Sequence, residues 1–274
     1  MEDDPRVLDY LHELQTRQAI PASADVAVHR CDAIELLAWG SNDEGGGLAT
    51  SQTAFALGVS IFDAAIAKLG ATAEYKRDLE LAAAALWLAY KLEEPMTRPA
   101  NEVVVAVEYN ILIDSKTLKA REVEICEALG HNLNFVHIET WLSAMLRYAA
   151  PSPQDRVHQL CRIHTDVVLL SPLVAREPPS VVAAAILAVA HAACQRKLLW
   201  TPALAAIARA PWTRIALVMH WVVAALLRPQ PPDSILLFNN DGRRLVLLPP
   251  GLDASAAETW VRLPKSHDRD TILR

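Results

Sequence analysis

Leu81-Ala-Ala-Ala-Ala-Leu-Trp-Leu-Ala-Tyr-Lys-Leu-Glu-Glu-Pro95 decides how this chain is read. Small and apolar residues run unbroken to Tyr90, a lysine and two glutamates follow, and Pro95 forbids continuation. The run predicts a helix over 74–94. A helix ringed by others needs small side chains so that neighbouring backbones come close, which puts Ala82–Ala85 at the centre of a bundle. Alanine is also the best helix former, so propensity alone would give the same run.

A second helical stretch follows, Lys119-Ala-Arg-Glu-Val-Glu-Ile-Cys-Glu-Ala-Leu-Gly-His-Asn-Leu133, with Ser115 as expected N-cap and Gly130 as stop. Leu118, Ile125 and Leu129 share one stripe at helical spacing, and Glu122 falls on that stripe. A carboxylate on an apolar face needs a partner, and Lys91 is the obvious one. Two readings stand. The pair locks two helices together and does nothing more, or both groups stand at a rim and bond the backbone of a partner's helix.

Composition bounds the rest. The chain has 274 residues, 52% hydrophobic and 21% charged, with only 9 Gly and almost no sustained alternation of apolar and polar residues, which predicts an all-α protein. A net charge of -6 does not suit neutralising phosphates, so nucleic acid is not an expected partner. Cys31, Cys126, Cys161 and Cys194 are far apart without a disulfide-framework spacing, and Met1-Glu-Asp-Asp lacks an apolar signal region. An intracellular protein of nucleus or cytoplasm is expected. The apolar runs Val181–Cys194 and Ile215–Leu227 fall short of the ~20 residues a bilayer needs, so no membrane partner is expected.

Along the chain, helices are predicted over 5–18, 25–39 and 50–69, with a Gly-rich loop at 40–47. Residues 101–112 read as a helix or, from Val103-Val-Val-Ala-Val, as a buried strand. A second block carries predicted helices over 137–149, 153–170, 179–197, 201–209 and 212–227, again with an Ala-rich helix third in order. The echo suggests a duplicated unit. The chain then divides into an N-terminal helix (1–20), a first block (21–135), a second block (136–230) and an extension (231–274). In the extension, apolar runs flank Asn239-Asn-Asp-Gly242 and predict a β-hairpin before a polar tail.

Other chemistry is thin. Cys161-x-x-His164 and His191-x-x-Cys194 are spaced like zinc-ligand pairs, but such pairs arise by chance in Ala-rich helices, and neither a metal nor a cofactor is expected. Gly45–Gly47 lacks the Lys-Ser or Lys-Thr of a phosphate loop. Trp87, Trp141, Trp212 and Trp221 read as core residues or packing seams.

Leu86-Trp-Leu-Ala-Tyr-Lys-Leu-Glu-Glu, then Arg121-Glu-Val-Glu-Ile-Cys-Glu-Ala-Leu-Gly-His-Asn-Leu, then Pro178-Pro-Ser-Val-Val-Ala-Ala-Ala-Ile together resemble the cyclin family over residues 5–228. The resemblance implies two tandem five-helix cyclin boxes and a non-enzymatic regulatory subunit of a cyclin-dependent Ser/Thr kinase. Lys91 and Glu122 match the cyclin Lys and Glu that hold the kinase's mobile C-helix. Leu92, Glu93 and Glu94 belong to the same motif, and His131 stands where many cyclins carry an aromatic.

The chain departs from the family elsewhere as well. The usual Asp-Arg is Asp63-Ala64, and the arginine that pairs with this aspartate has no aligned match: Ala33 holds its place and Arg30 lies one turn away. The substrate-docking patch keeps Leu36 and Trp39, but Asp32 and Glu35 fall where apolar residues are expected, so recruitment of Arg-x-Leu substrates or inhibitor proteins is in question. The alternatives are a cyclin-fold transcription factor and a scaffold that binds a kinase without activating it.

Overall fold

The computed structural model describes residues 5–19, 29–40, 51–93, 113–150, 152, 155–172, 176–227 and 252–262. Its elements are α1 (Pro5–Arg17), α2 (Arg30–Gly40), α3 (Gln52–Leu69), α4 (Tyr75–Glu93), α5 (Ser115–Ala128), α6 (Ile138–Ala149), α7 (Arg156–Leu169), α8 (Pro179–Ala193), β1 (Leu198–Leu199), α9 (Pro202–Ala208), α10 (Trp212–Leu227), α11 (Ala254–Glu258) and β2 (Val261–Arg262). The fold is all-α, and among the described residues two short strands are the exceptions. It divides into two compact units, Arg17–His137 and a second that joins Met1–Thr16 to Ile138–Arg274. The segment 101–112 and the proposed hairpin around Asn239 lie outside the described residues.

In the first unit α4 packs against α2, α3 and α5. Every residue of α4 from Asp78 to Tyr90 is buried, Ala82–Ala85 at 0–1% exposure. The alanines therefore serve the packing of a central helix as well as its propensity. Gly58 of α3 shows how close the neighbours come: a Cβ there would meet the Leu86 Cα at 3.2 Å. Ser51 caps α3 by accepting from the Ala54 N–H, and Gly70, at φ +81, ends it. By length and composition α3 could cross a bilayer, yet 61% of it is buried within the protein. Gln18 closes this unit, donating to the Asn134 carbonyl at 2.6 Å and accepting from the Val136 N–H at 3.1 Å.

In the second unit α8 takes the central place and touches α6, α7, α9, α10 and α11. Ser180 to Ala192 are all buried. α1 belongs to this unit. His12 Nε2 donates to the Ile207 carbonyl at 2.9 Å and its ring lies 4.4 Å from that of Trp141. Gln15 exchanges hydrogen bonds with Ser180. α8 ends at Ala193 rather than near Lys197, because Gln195 turns to φ +54 and the chain leaves as β1. β1 pairs in parallel with β2 from the extension.

Candidate functional site

The site is built on the last turn of α4 and the middle of α5. Asp114, not Ser115, caps α5: its carboxylate accepts from the Thr117 N–H at 2.6 Å, leaving Ser115 as the first helical residue. A charge accepts that hydrogen bond better than a hydroxyl, which explains the shift by one residue. Leu118 and Ile125 point into the unit at 0% exposure.

Ion pairs fix how α5 rolls on α4. Arg121 reaches the buried Glu80 at 2.8 Å and Glu124 at 2.7 Å, and Arg77 reaches the other oxygen of Glu124 at 3.0 Å. Burial alone would raise the Glu124 carboxyl, but hydrogen bonds from Arg121 and Arg77 hold it below the usual carboxylate range. With Arg121 anchored inward, Glu122 comes to the edge where α4 ends.

There Glu122 Oε1 accepts a hydrogen bond from Lys91 Nζ. The two side chains are 25% and 22% exposed, so the pair sits at a rim and is neither sealed inside nor freely solvated. Lys91 also lies 4.0 Å above the centre of the Trp87 ring, a cation–π contact worth about 0.5–1 kcal/mol. Cys126 stands one turn beyond Glu122. Burial, and then the Glu122 carboxylate, push its thiol up, with Lys91 opposing.

Beside this pair Leu92 and Val123 are each 54% exposed, and Glu93 is exposed. Glu94 lies outside the described residues. His131 is exposed beyond the C-terminal end of α5, at φ +60 directly after Gly130 at φ +58. Its N–H reaches back to the Cys126 carbonyl at 2.8 Å, closing the helix end.

The sequence reads Trp87 as a core residue or packing seam and assigns no role to Arg121, Glu80 or Val123. The spacing of Trp87 and Lys91, one helical turn apart, carried the signal for the first. The arginine network had only the i,i+3 spacing of Arg121 and Glu124 to announce it.

The second cluster lies on α2 and α3. Arg30 grips both oxygens of Asp63, at 2.7 and 2.8 Å, and its side chain is 3% exposed. On α2, Asp32 is exposed, and burial followed by Asp32 pushes the Glu35 carboxyl up. Leu36 and Trp39 belong to the same helix. Among the described residues no group of three or more His, Cys, Asp or Glu side chains gathers as a metal site would. Cys161 and His164 are buried on α7, His191 on α8, and Cys194 stands half-buried as the C-cap of α8.

No protein-family model matches this chain, and neither does any curated protein. Solved structures do. A viral cyclin from herpesvirus saimiri is 19% identical, with a TM-score of 0.64 over 80% of this chain and 98% of that chain. A chain of the yeast RNA Pol II CTD kinase CTDK-1 complex is 14% identical, with a TM-score of 0.61 over 84% of this chain and 73% of that one. Both comparisons cover at least 80% of this chain, so the chain has the cyclin fold.

Proposed function

We propose that this chain is a regulatory subunit that binds a cyclin-dependent Ser/Thr kinase and activates it by positioning the kinase's C-helix. One observation carries the reading: Lys91 and Glu122 meet at a half-open rim, with exposed Leu92 and Val123 beside them, in a chain of cyclin fold. The chain supplies no catalytic group of its own in this account.

The mechanism follows from what a kinase requires. A strand lysine must pair with a C-helix glutamate to hold the ATP phosphates. A partner that binds only the state with that helix swung in shifts the population toward it. Moving the population from about 1% to 99% takes roughly 5.5 kcal/mol of differential affinity. Apolar contact through Leu92 and Val123 would contribute to it. Lys91 donates to carbonyls and Glu122 accepts from N–H groups at the partner helix, which fixes register. Glu93, Glu94 and His131 complete the proposed contact surface.

Reconstitution tests this directly. Purified cyclin-dependent kinase subunits mixed with the chain should form a complex and gain phosphotransfer activity; no complex with any of them would refute the reading.

A second reading, a scaffold that holds a kinase without activating it, is favoured by the charged α2 face. Asp32 and Glu35 stand where an apolar substrate-docking patch would be, and Arg30–Asp63 keeps the helix in place regardless. A complex that forms without a gain in phosphotransfer would select it. The net charge of -6 argues against a nucleic-acid-binding role.

A further inference from the structure

Lys91 stands one helical turn after Trp87 on α4, and a helical side chain leans over the turn before its own Cα. That direction lays the Lys91 stem across the indole and puts Nζ 4.0 Å from the ring centre. The ring is fixed, since Trp87 is 7% exposed within the buried run from Asp78 to Tyr90. The lysine is not: it is half-open to water, on a flexible four-carbon stem.

Packing alone does not account for a tryptophan here. Its Nε1–H is buried and has no acceptor among the described residues. An unpaired buried donor is destabilising, and a leucine or phenylalanine at this position would leave none. What the indole offers in return is its face, which attracts a cation better than the other aromatic rings do. Lys91 is the cation it meets.

Glu122 does not suffice as the sole anchor of Lys91 during docking. In the free chain its Oε1 accepts from Lys91 Nζ. Against a partner helix the same carboxylate has N–H groups to accept from, while Lys91 has carbonyls to donate to. A lysine let go by its carboxylate swings into water unless something else holds it. Cys126 supplies no charge for this, because burial and the Glu122 carboxylate push its thiol up and so keep it protonated.

We propose that Trp87 is a positioning residue for the rim: its ring keeps the Lys91 ammonium over α4 while Glu122 turns to the partner's helix. This role rests on the reading of the rim as a kinase surface. The ring takes no hydrogen bond, so all three donors of the ammonium remain for Glu122 and the partner. The contact strengthens as the docked helix excludes water, because a cation–π pair gains when desolvated. Trp87 acts through Lys91 and not by touching the partner.

Two measurements on the full chain decide this. In the free chain with isotope-labelled lysine, ring current should shift the Lys91 ε-methylene signal upfield of the other lysines. The signal is assigned by its loss in Lys91→Ala. The shift should persist in Glu122→Gln and vanish in Trp87→Leu. Its loss in Glu122→Gln would show that the carboxylate alone holds the lysine, and would overturn the proposal. This arm keeps Trp87 in place, so it decides even where Trp87→Leu does not fold.

The second measurement is a titration with a cyclin-dependent kinase subunit that the native chain binds. Trp87→Leu should weaken binding about 3- to 30-fold, and Trp87→Phe should recover most of the loss. In a Lys91→Ala background Trp87→Leu should change binding by less than about 2-fold, because the ring has nothing left to hold. An equal loss in both backgrounds would mean that Trp87 only packs, and would overturn the proposal. Lys91→Ala binding as tightly as the native chain would instead refute the kinase reading of the rim, and the role of Trp87 with it.

Discussion

Arg30 holds Asp63 by both carboxylate oxygens, joining the first residue of α2 to the middle of α3. The arginine side chain is 3% exposed and the aspartate 11%, so removing either one takes away a counter-charge from a buried group. Arg30→Ala or Asp63→Ala should each destabilise the chain by about 3–5 kcal/mol. Replacing both with apolar residues of similar size should cost less than either single change. Urea unfolding of the four proteins checks this; additive losses would mean that the two residues do not act as a pair.

The close approach of α3 and α4 at Gly58 yields a second expectation. An added Cβ meets the Leu86 backbone at 3.2 Å, and a branched side chain has nowhere to go. Gly58→Val should cost about 1–3 kcal/mol through overpacking. A melting temperature equal to that of the native chain would show that the helices can part freely.

Sequence legibility followed the length scale of each signal. Ala82–Ala85 and Ala183–Ala190 are long runs, and both lie in the two central helices. Gly70 ends α3, and α10 runs over Trp212–Leu227 as its apolar pattern predicts. The parallel β1–β2 pair was not readable: each strand has two residues, and the partners are sixty residues apart with no local pattern to link them. At the site, the stripe of Leu118, Glu122 and Ile125 pointed to Lys91 because helical spacing is a short-range rule. The Glu80–Arg121–Glu124–Arg77 network joins two helices through long side chains, and spacing alone does not specify such contacts.

Buried imidazoles set a pH dependence. Burial, with Arg209 adding to it, lowers His12 to about 4 despite the Ile207 carbonyl, and burial lowers His137 and His191 to about 4 as well. Their folded values lie below the unfolded value of 6.5, so their contribution is present above pH 6.5 and is lost as pH falls toward 4. Asp78 and Glu139 oppose this: burial raises both carboxyls, and acidification relieves the strain of charging them. Glu35, also raised by burial, acts in the same sense as these two carboxyls. With the three histidines lowered as far as about 4, stability measured by urea unfolding should fall from pH 7 to pH 5. A flat or rising profile would contradict the assignment.

His131 carries backbone strain at a proposed contact. A non-glycine residue at φ +60 costs roughly 1 kcal/mol relative to glycine. His131→Gly should therefore raise the melting temperature, by about 2–4 °C for a chain of this size, while weakening kinase binding. Thermal melts and a binding titration on one protein separate the two effects, and a lower melting temperature would show that the imidazole stabilises the free chain.

The central claim is that Lys91 and Glu122 act on a partner and not only on each other. Exchanging them, Lys91→Glu with Glu122→Lys, preserves an internal ion pair but inverts what the rim offers to a kinase helix. The decisive measurement is the phosphotransfer rate of a purified cyclin-dependent kinase that the native chain stimulates, repeated with the exchanged chain. The account predicts normal folding and at least ~10-fold less stimulation, since each charge would face its own kind of helix terminus group. Full stimulation by the exchanged chain would show that the pair only fastens α4 to α5, and would contradict the proposed mechanism.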